Sequence, residues 1–395
     1  MCNPAKAKHA EGRTVKYSCP QFTSTLEEII TDEKLLSAFE RAAKGKKSRA
    51  GVFRFTNDLG MNLERLKEEV FSHTYRPIPC RCFEIWCRAG QKKRIIAAPA
   101  FRDTVIQHLL YDETYNTFDR GFIFDSYGCR RGKGTHRASN RVQEFIRQSP
   151  VGSYYLQIDI RKYYYSIEHA ILRKSLERKI EDKRIVDLMM LYCDSETGIG
   201  LNVGCLLSQL YGMIYLDRFD HWVKRVLKVK RYVRYVDDCV FIGETKEDCY
   251  RLLERIKEFL RVHLHLELSK WKINSLGKGV NFAGYWAWRD RRFIRKKTLY
   301  NMTKKIKQKK YDSIAAILAH SKRTSSYSKL LHKVDEGLSL EEQKNLHKKL
   351  REELREIHPK MPDPNYPWIS VCKELDRKPK RAKPTLEKVL AFYST

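Results

Sequence analysis

Nothing in this sequence stays apolar long enough to cross a bilayer, which takes about 18 or more consecutive apolar residues, so no membrane-spanning helix is expected. The opening residues, Met1-Cys2-Asn3-Pro4-Ala5-Lys6, lack the hydrophobic stretch of an export signal, which makes a cytoplasmic protein the expectation. Cysteine is present but unorganised. There are 11, an odd number scattered along the chain, which fits free thiols in a reducing compartment. Only Cys80, Cys82 and Cys87 cluster, with His73 nearby. Their spacing is not one of zinc ligands, and residues 82–87 alternate like a strand. No internal repeat is visible. Acid is the scarce charge: 48 Asp and Glu stand against 78 Lys and Arg, for a formal net charge of +30. Such a chain suits a polyanionic partner, most simply nucleic acid. Its 395 residues suffice for two or three units, each with its own core.

Helical periodicity opens the chain. Leu26, Ile29, Ile30, Leu35, Leu36 and Phe39 recur at helical spacing, as do Leu59, Leu63, Leu66 and Val70, with a basic loop over residues 44–49 between them. Residues 80–98 read as a β-hairpin turning at Arg88-Ala89-Gly90-Gln91, and 102–118 as a helix with Val105, Ile106, Leu109 and Leu110 inward. Residues 130–137, rich in glycine and base, open the next helix. Such a start suits an anion, although the pattern is not a Walker loop. Further on, a helix is expected over 246–260, a strand over 264–268 and a hairpin over 280–288. From Arg291 to Lys333 the chain is strongly basic and helical, so that each phosphate it neutralises would add affinity through counterion release. A mixed-charge helix over 340–357, a segment with Pro359, Pro362, Pro364 and Pro367, and a basic stretch over 377–383 complete it.

The chemistry is concentrated in Arg234-Tyr235-Val236-Asp237-Asp238-Cys239-Val240-Phe241. Apolar runs on both sides read as short strands, which puts two aspartates at a hairpin tip. Adjacent like charges repel, and they are comfortable only in water or around a cation. Taken alone, the pair suits a surface turn equally well. Asp159 changes the balance, because it too ends an apolar run, Tyr154-Tyr155-Leu156-Gln157-Ile158. A strand with one carboxylate and a hairpin with two more can hold two hard cations. Mg²⁺ prefers oxygen ligands, usually one or two carboxylates plus substrate phosphates. Two such ions clamp the attacking and leaving oxygens of an in-line displacement. Those are the needs of a nucleotidyl transferase.

The ordered set resembles the reverse transcriptases. Asp159 in a strand, Gly204-Cys205-Leu206-Leu207-Ser208-Gln209, Tyr235-Val236-Asp237-Asp238 and Gly279-Val280-Asn281-Phe282-Ala283-Gly284-Tyr285 stand in the family's order. Upstream, Lys93-Arg94-Ile95-Ile96-Ala97-Ala98-Pro99, Phe101-Arg102-Asp103 and residues 126–138 are similar to the family's fingers. Within the family, Val203 before the glycine and Gln209 after the serine resemble the reverse transcriptases of diversity-generating retroelements. So do residues 122–127 and 131–136, and more loosely 319–327. Asn202, where proline is usual, and Cys205, where asparagine is common, depart from that pattern.

The resemblance implies an α+β right-hand polymerase. An N-terminal extension and fingers would occupy 1–150, the palm 151–290, a basic helical thumb 291–338, and a C-terminal extension 339–395. Asp159 and Asp237 would bridge two Mg²⁺ ions, with Mn²⁺ a substitute, Asp238 a helper and the Ile160 carbonyl a further ligand. Lys93 and Arg94 would neutralise the incoming triphosphate. Tyr164 would be the steric gate against a 2′-hydroxyl. Val203, Gly204 and Gln209 would line the nucleotide pocket, and Lys272, in competition with Lys270, would protonate pyrophosphate. Phe282, Gly284 and Tyr285 would form the primer grip. Arg130, Arg131, Lys133, Lys304, Lys305 and Lys309 would contact nucleic acid. An aliphatic Val203 removes polar fixation of the nucleotide, in keeping with the adenine-directed errors that the retroelement family implies. The partners implied are an RNA template, a DNA or RNA primer, dNTPs and a small basic accessory protein, in a bacterial or phage-encoded system. Alternatives are a reverse transcriptase of retron, antiphage-defence or group II intron type, or a non-catalytic RNA-binding protein on a polymerase scaffold. The three aspartates argue against the last.

Overall fold

The computed structural model describes residues 21–87, 92–193 and 197–346, which fall into two compact units. The first comprises residues up to 298 together with 323–326, and the second 299–322 with 327 onward.

The first unit begins with α1 (Leu26–Ile29), α2 (Asp32–Ala43), α3 (Ala50–Asn57) and α4 (Leu59–Phe71). Thr25 and Thr31 start the first two helices: each hydroxyl accepts a first-turn N–H, from Glu28 and Lys34, and acids follow where the helix end is positive. β1 (Arg81–Cys87) and β2 (Lys92–Ala98) form the expected antiparallel hairpin, whose turn lies outside the described residues. α5 (Phe101–Gly121) buries Val105, Ile106, Leu109 and Leu110, as their spacing requires, and packs on α2.

Next come β3 (Ser126–Tyr127), α6 (Thr135–Gln148), β4 (Tyr154–Ile160), α7 (His169–Glu177), α8 (Lys183–Met190) and α9 (Leu206–His221). β5 (Tyr232–Tyr235), β6 (Asp238–Gly243), α10 (Lys246–Leu264) and β7 (Leu268–Ser275) follow. The strands assemble into one sheet in the order β3-β5-β6-β4-β7, antiparallel except where β3 meets β5. Period-two alternation gives the sheet two buried faces. Leu156, Ile158, Ile160, Tyr232 and Phe241 join the core built with α9 and α10. α9 itself is buried nearly all round, through Leu207, Leu210, Tyr211, Ile214, Leu216 and Phe219. On the opposite face, Tyr155, Val233, Val240 and Ile242 pack with Val142, Phe145 and Ile146 of α6. Burying one such side chain contributes roughly 1.5–3 kcal/mol.

The strand expected over 264–268 is displaced. Leu260 and Leu264 extend the apolar stripe of α10 and are both buried, so the helix runs on until His265 ends it with a left-handed backbone (φ 50). The edge strand then starts at Leu268. β8 (Val280–Phe282), β9 (Tyr285–Ala287) and β10 (Arg292–Ile294) form a second, antiparallel sheet. The stretch expected to be helical from Arg291 thus opens with a strand. α11 (Lys296–Lys307), which passes into the second unit at Leu299, precedes α12 (Tyr311–Ser321) and α13 (Tyr327–Gly337). The second unit buries Met302, Ile306, Ile314, Leu318, Leu330 and Val334. Residues 340–346 are helical, and the remainder of that expected helix, the prolines and the basic tail lie outside the described residues. Among the described residues no helix is long and apolar enough to cross a membrane.

Candidate active site

β4 and β6 pair in a register that sets Asp159 directly opposite Asp238. Directly opposed residues share a face and hold their Cβ atoms about 4.5–5.5 Å apart. Along that face Tyr155, Val240 and Ile242 are buried, whereas Asp159 and Asp238 are half-buried, so the carboxylates emerge where the cover of α6 stops. Ile160 follows Asp159 with its side chain in the core. Asp237 lies in the two-residue connection from β5 to β6, after Val236, whose φ is 58. β-branched residues rarely enter this left-handed region, where hairpins prefer Gly or Asn. Both backbone groups of Val236 are held: its N–H donates to the Tyr127 carbonyl (3.1 Å), and its carbonyl accepts from Arg234 Nη1 (2.9 Å).

Asp238 Oδ1 accepts a hydrogen bond from Gln157 Nε2 (2.9 Å), which also donates to the Asn281 carbonyl (3.1 Å). Burial pushes the Asp238 carboxyl up to about 7. The Gln157 bond opposes this, while the charges of Asp159 and Asp237 add to it. Asp159 Oδ2 accepts from Ser269 Oγ (2.5 Å). The β4–β7 register shifts between Asp159 and Ile160, and this bulge aims the Ser269 hydroxyl. Lys270 is the register partner of Asp159, and Lys272 that of Gln157, with its Nζ 5.8 Å from the Tyr155 ring centre. Of the two lysines, Lys270 thus sits opposite the carboxylate.

Hard oxygen donors, crowded like charges and a carboxyl that burial biases toward its protonated form fit a hard divalent cation such as Mg²⁺. No group of three His, Cys, Asp or Glu among the described residues closes into a metal cage. An ion that takes one or two carboxylates and completes its shell on substrate phosphates needs none.

Around the carboxylates, the tyrosine triplet divides. Tyr163 is buried and donates to the Gly212 carbonyl, Tyr165 is 51% exposed, and Tyr164 is half-buried. The Tyr164 ring lies over Gly212, where a Cβ would come within 3.1 Å of it. Val203 is half-buried, and its carbonyl accepts from Ala97 N (2.8 Å). Gly204 has φ 127, and a Cβ there would stand 2.6 Å from the Ala97 carbonyl oxygen. The backbone that Gly204 admits is therefore that of β2. Gln209 is exposed on α9, and Lys93 and Arg94 are exposed on β2, Lys93 paired with Glu84 at 2.8 Å. Phe282 and Tyr285 are core residues, and Tyr285 bonds His136 (2.8 Å). Between them Ala283 and Gly284 both have positive φ, so any grip on a primer falls to this turn's backbone.

The basic residues also separate. Arg130, expected to contact nucleic acid, is buried, and its guanidinium bonds Asp119 (2.6 Å) and the carbonyls of Ile123 and Ser126. Arg131 is exposed, pairs with Asp112 at 2.7 Å and lies over Tyr115. Lys133 Nζ folds back to the Phe124 carbonyl, and burial lowers it to about 8. In the second unit Lys304 is exposed, Lys305 is half-buried and Lys309 pairs with Glu342 (2.7 Å).

Gln157, Ser269, Arg234 and Asn281 border the carboxylates or their turn without being among the expected site residues. Gln157 was within reach, two positions before Asp159 and hence on its face. The bulge at Ser269 has no signal in the residue pattern.

A family profile described as reverse transcriptase (RNA-dependent DNA polymerase) matches residues 88–287, just over half of the chain. Protein YkfC of Escherichia coli K12 is 25% identical over 308 residues, covering 66% of this chain and 79% of that protein. The group II intron-encoded protein LtrA of Lactococcus lactis subsp. cremoris is 24% identical over 314 residues, 60% of this chain; the chain spans about half of LtrA's length (52%). Among solved structures, a Candida albicans telomerase in complex with a fragment of telomeric RNA aligns over 79% of this chain and 68% of its own, with TM-score 0.42 and 10% identity.

Proposed function

Because this chain belongs to the reverse transcriptase family, the RNA-directed DNA polymerases of right-hand fold, we propose that Asp159, Asp237 and Asp238 are its catalytic carboxylates. The observation that carries the reading is the register of β4 and β6, which opposes Asp159 to Asp238 with Asp237 at the adjoining turn, all inside the matched region. The reaction is RNA-templated addition of dNTPs to a primer 3′-hydroxyl. Two Mg²⁺ ions, or Mn²⁺ in their place, held by these carboxylates and the Ile160 carbonyl would activate that hydroxyl and neutralise the leaving pyrophosphate. The chain's own residues do the rest. Lys93 and Arg94 bind the triphosphate, Tyr164 excludes the 2′-hydroxyl, Val203, Gly204 and Gln209 border the base pair, and Lys270 or Lys272 offers a proton to pyrophosphate. The turn at Ala283-Gly284 steadies the primer, and the exposed lysines of α11 neutralise backbone phosphates. On this reading residues to about 150 are fingers, 151–290 palm and the following helices thumb.

Primer extension on poly(rA)/oligo(dT) with dTTP and Mg²⁺ tests the proposal. Asp159→Ala, Asp237→Ala and Asp238→Ala should each abolish extension, and activity surviving in the Asp237 or Asp238 variant would sink the assignment.

At finer grain, we propose an error-prone reverse transcriptase of a diversity-generating retroelement, acting with a small basic accessory protein. Val203 before Gly204 and Gln209 after Ser208 support it. The intron-encoded relatives are what supports a second reading, a group II intron-type enzyme, and they do not set it above the first. Sequencing cDNA copied from the native RNA separates them: substitutions concentrated at template adenines favour the first, and a uniform spectrum the second.

A further inference from the structure

Arg234 and Asp220 expose no side-chain surface at all, yet both are charged. Arg234 Nε lies 2.8 and 3.0 Å from the two carboxylate oxygens of Asp220, and Nη2 lies 2.5 Å from Oδ2. Tyr232 OH also donates to Asp220 Oδ1, at 2.6 Å. The remaining arm of the guanidinium, Nη1, reaches the carbonyl of Val236. A buried ion pair is weak evidence for stability, because a well-packed apolar pair often does as well. What an apolar pair cannot do is hold a carbonyl. The carbonyl held here belongs to the one residue of the turn with left-handed backbone, next to Asp237. On its other side, Gly128 leaves the space Val236 needs, since a Cβ there would stand 2.6 Å from Val236 Cγ2.

We propose that Arg234, braced by Asp220 and Tyr232, is a positioning residue of the polymerase. Its guanidinium holds Val236 left-handed and thereby fixes where Asp237 stands relative to Asp159 and Asp238. The fork geometry of Arg suits this task, since one planar group bonds the carboxylate with two arms and the carbonyl with the third. Lysine, with a single nitrogen, cannot span both. The inference rests on the catalytic assignment of the three aspartates.

The decisive comparison replaces the whole brace with apolar groups of similar volume, Asp220→Leu, Tyr232→Phe and Arg234→Met together, so that no buried charge is left alone. Three readouts are taken: thermal melting, Mn²⁺ binding to the free protein by electron paramagnetic resonance, and amide exchange across residues 235–238 without metal. The expected result is a folded protein whose Mn²⁺ affinity falls at least tenfold and whose turn amides exchange at least tenfold faster, with exchange in α9 unchanged. Arg234→Lys, which keeps the charge, should lose Mn²⁺ affinity several-fold, and it decides the matter should the triple variant not fold. Mn²⁺ affinity and turn exchange within twofold of wild type, in whichever variant folds, overturn the proposal. If wild-type protein fails to extend a primer, the polymerase reading falls instead, while the exchange measurement still judges the brace.

Discussion

Asp238→Asn should make the metal-free protein more stable while abolishing polymerisation. The carboxyl lies under cover beside two other aspartates, and burial lifts it from its ordinary 3.8 to about 7. The folded chain therefore holds this proton more tightly than the unfolded chain does. The stabilisation it brings is complete below about pH 4, declines as pH rises, and is gone above about pH 7. The gap corresponds to about 4 kcal/mol, at about 1.4 kcal/mol per tenfold change in proton affinity. Because Asp159 and Asp237 share the charge, the figure belongs to the group of carboxylates. Asparagine carries no charge and keeps an oxygen for Gln157 Nε2. In EDTA at pH 8 the variant should thus exceed wild type by up to about 4 kcal/mol, roughly 5–10 °C in melting temperature. At pH 5 the advantage should shrink to about 1.5 kcal/mol, and near pH 4 it should vanish. Mg²⁺ at pH 8 should raise the melting temperature of wild type more than that of the variant, which keeps Asp159 and Asp237. Melting curves at pH 4, 5, 6.5 and 8, with and without Mg²⁺, provide the measurement. A variant no more stable than wild type at pH 8, or an advantage constant with pH, refutes the reasoning.

Gly212→Ala should press on the Tyr164 ring and raise the KM for dNTPs several-fold with primer-template affinity unchanged; an unaltered KM in steady-state assays counts against placing Tyr164 at the sugar. Gly204→Ala sets a Cβ against the Ala97 carbonyl at φ 127, so it should destabilise by about 2 kcal/mol or more, read as a lower denaturation midpoint. Arg130→Ala removes a buried donor from Asp119 and from the Ile123 and Ser126 carbonyls and should cost about 1–3 kcal/mol in stability, with RNA affinity of the folded fraction unchanged in filter binding. Loss of RNA affinity without loss of stability would assign Arg130 to nucleic-acid contact instead.

The residue pattern carried most of the architecture because period two and period 3.6 survive wherever an element has one buried face. The strand ending at Asp159, the hairpin at Asp237-Asp238 and α5 all lie where their periodicity puts them. The pattern failed at Leu264, where an apolar residue served a helix end as well as a strand start, and at Arg291, where positive charge concealed a three-residue strand. Charge alone gives no sign of the burial of Arg130, since a guanidinium that satisfies carbonyls inside the fold looks, in sequence, like one that awaits phosphate. The carboxylates were legible. Their supports were not, because Ser269 meets Asp159, and the Asn281 carbonyl meets Gln157, only through pairings that join distant parts of the chain.

The placement of β4 between β6 and β7 bears on how this protein is made. Both neighbours of Tyr154–Ile160 lie later in the chain, β6 at Asp238–Gly243 and β7 at Leu268–Ser275. On the ribosome this apolar, aromatic strand leaves the exit tunnel with neither edge paired, and it waits for more than a hundred further residues before the second edge closes. Unpaired strands of this composition are templates for aggregation. Chains halted between residues 160 and 238 should therefore be the chief clients of cotranslational chaperones, and the carboxylates come together only once β6 has arrived.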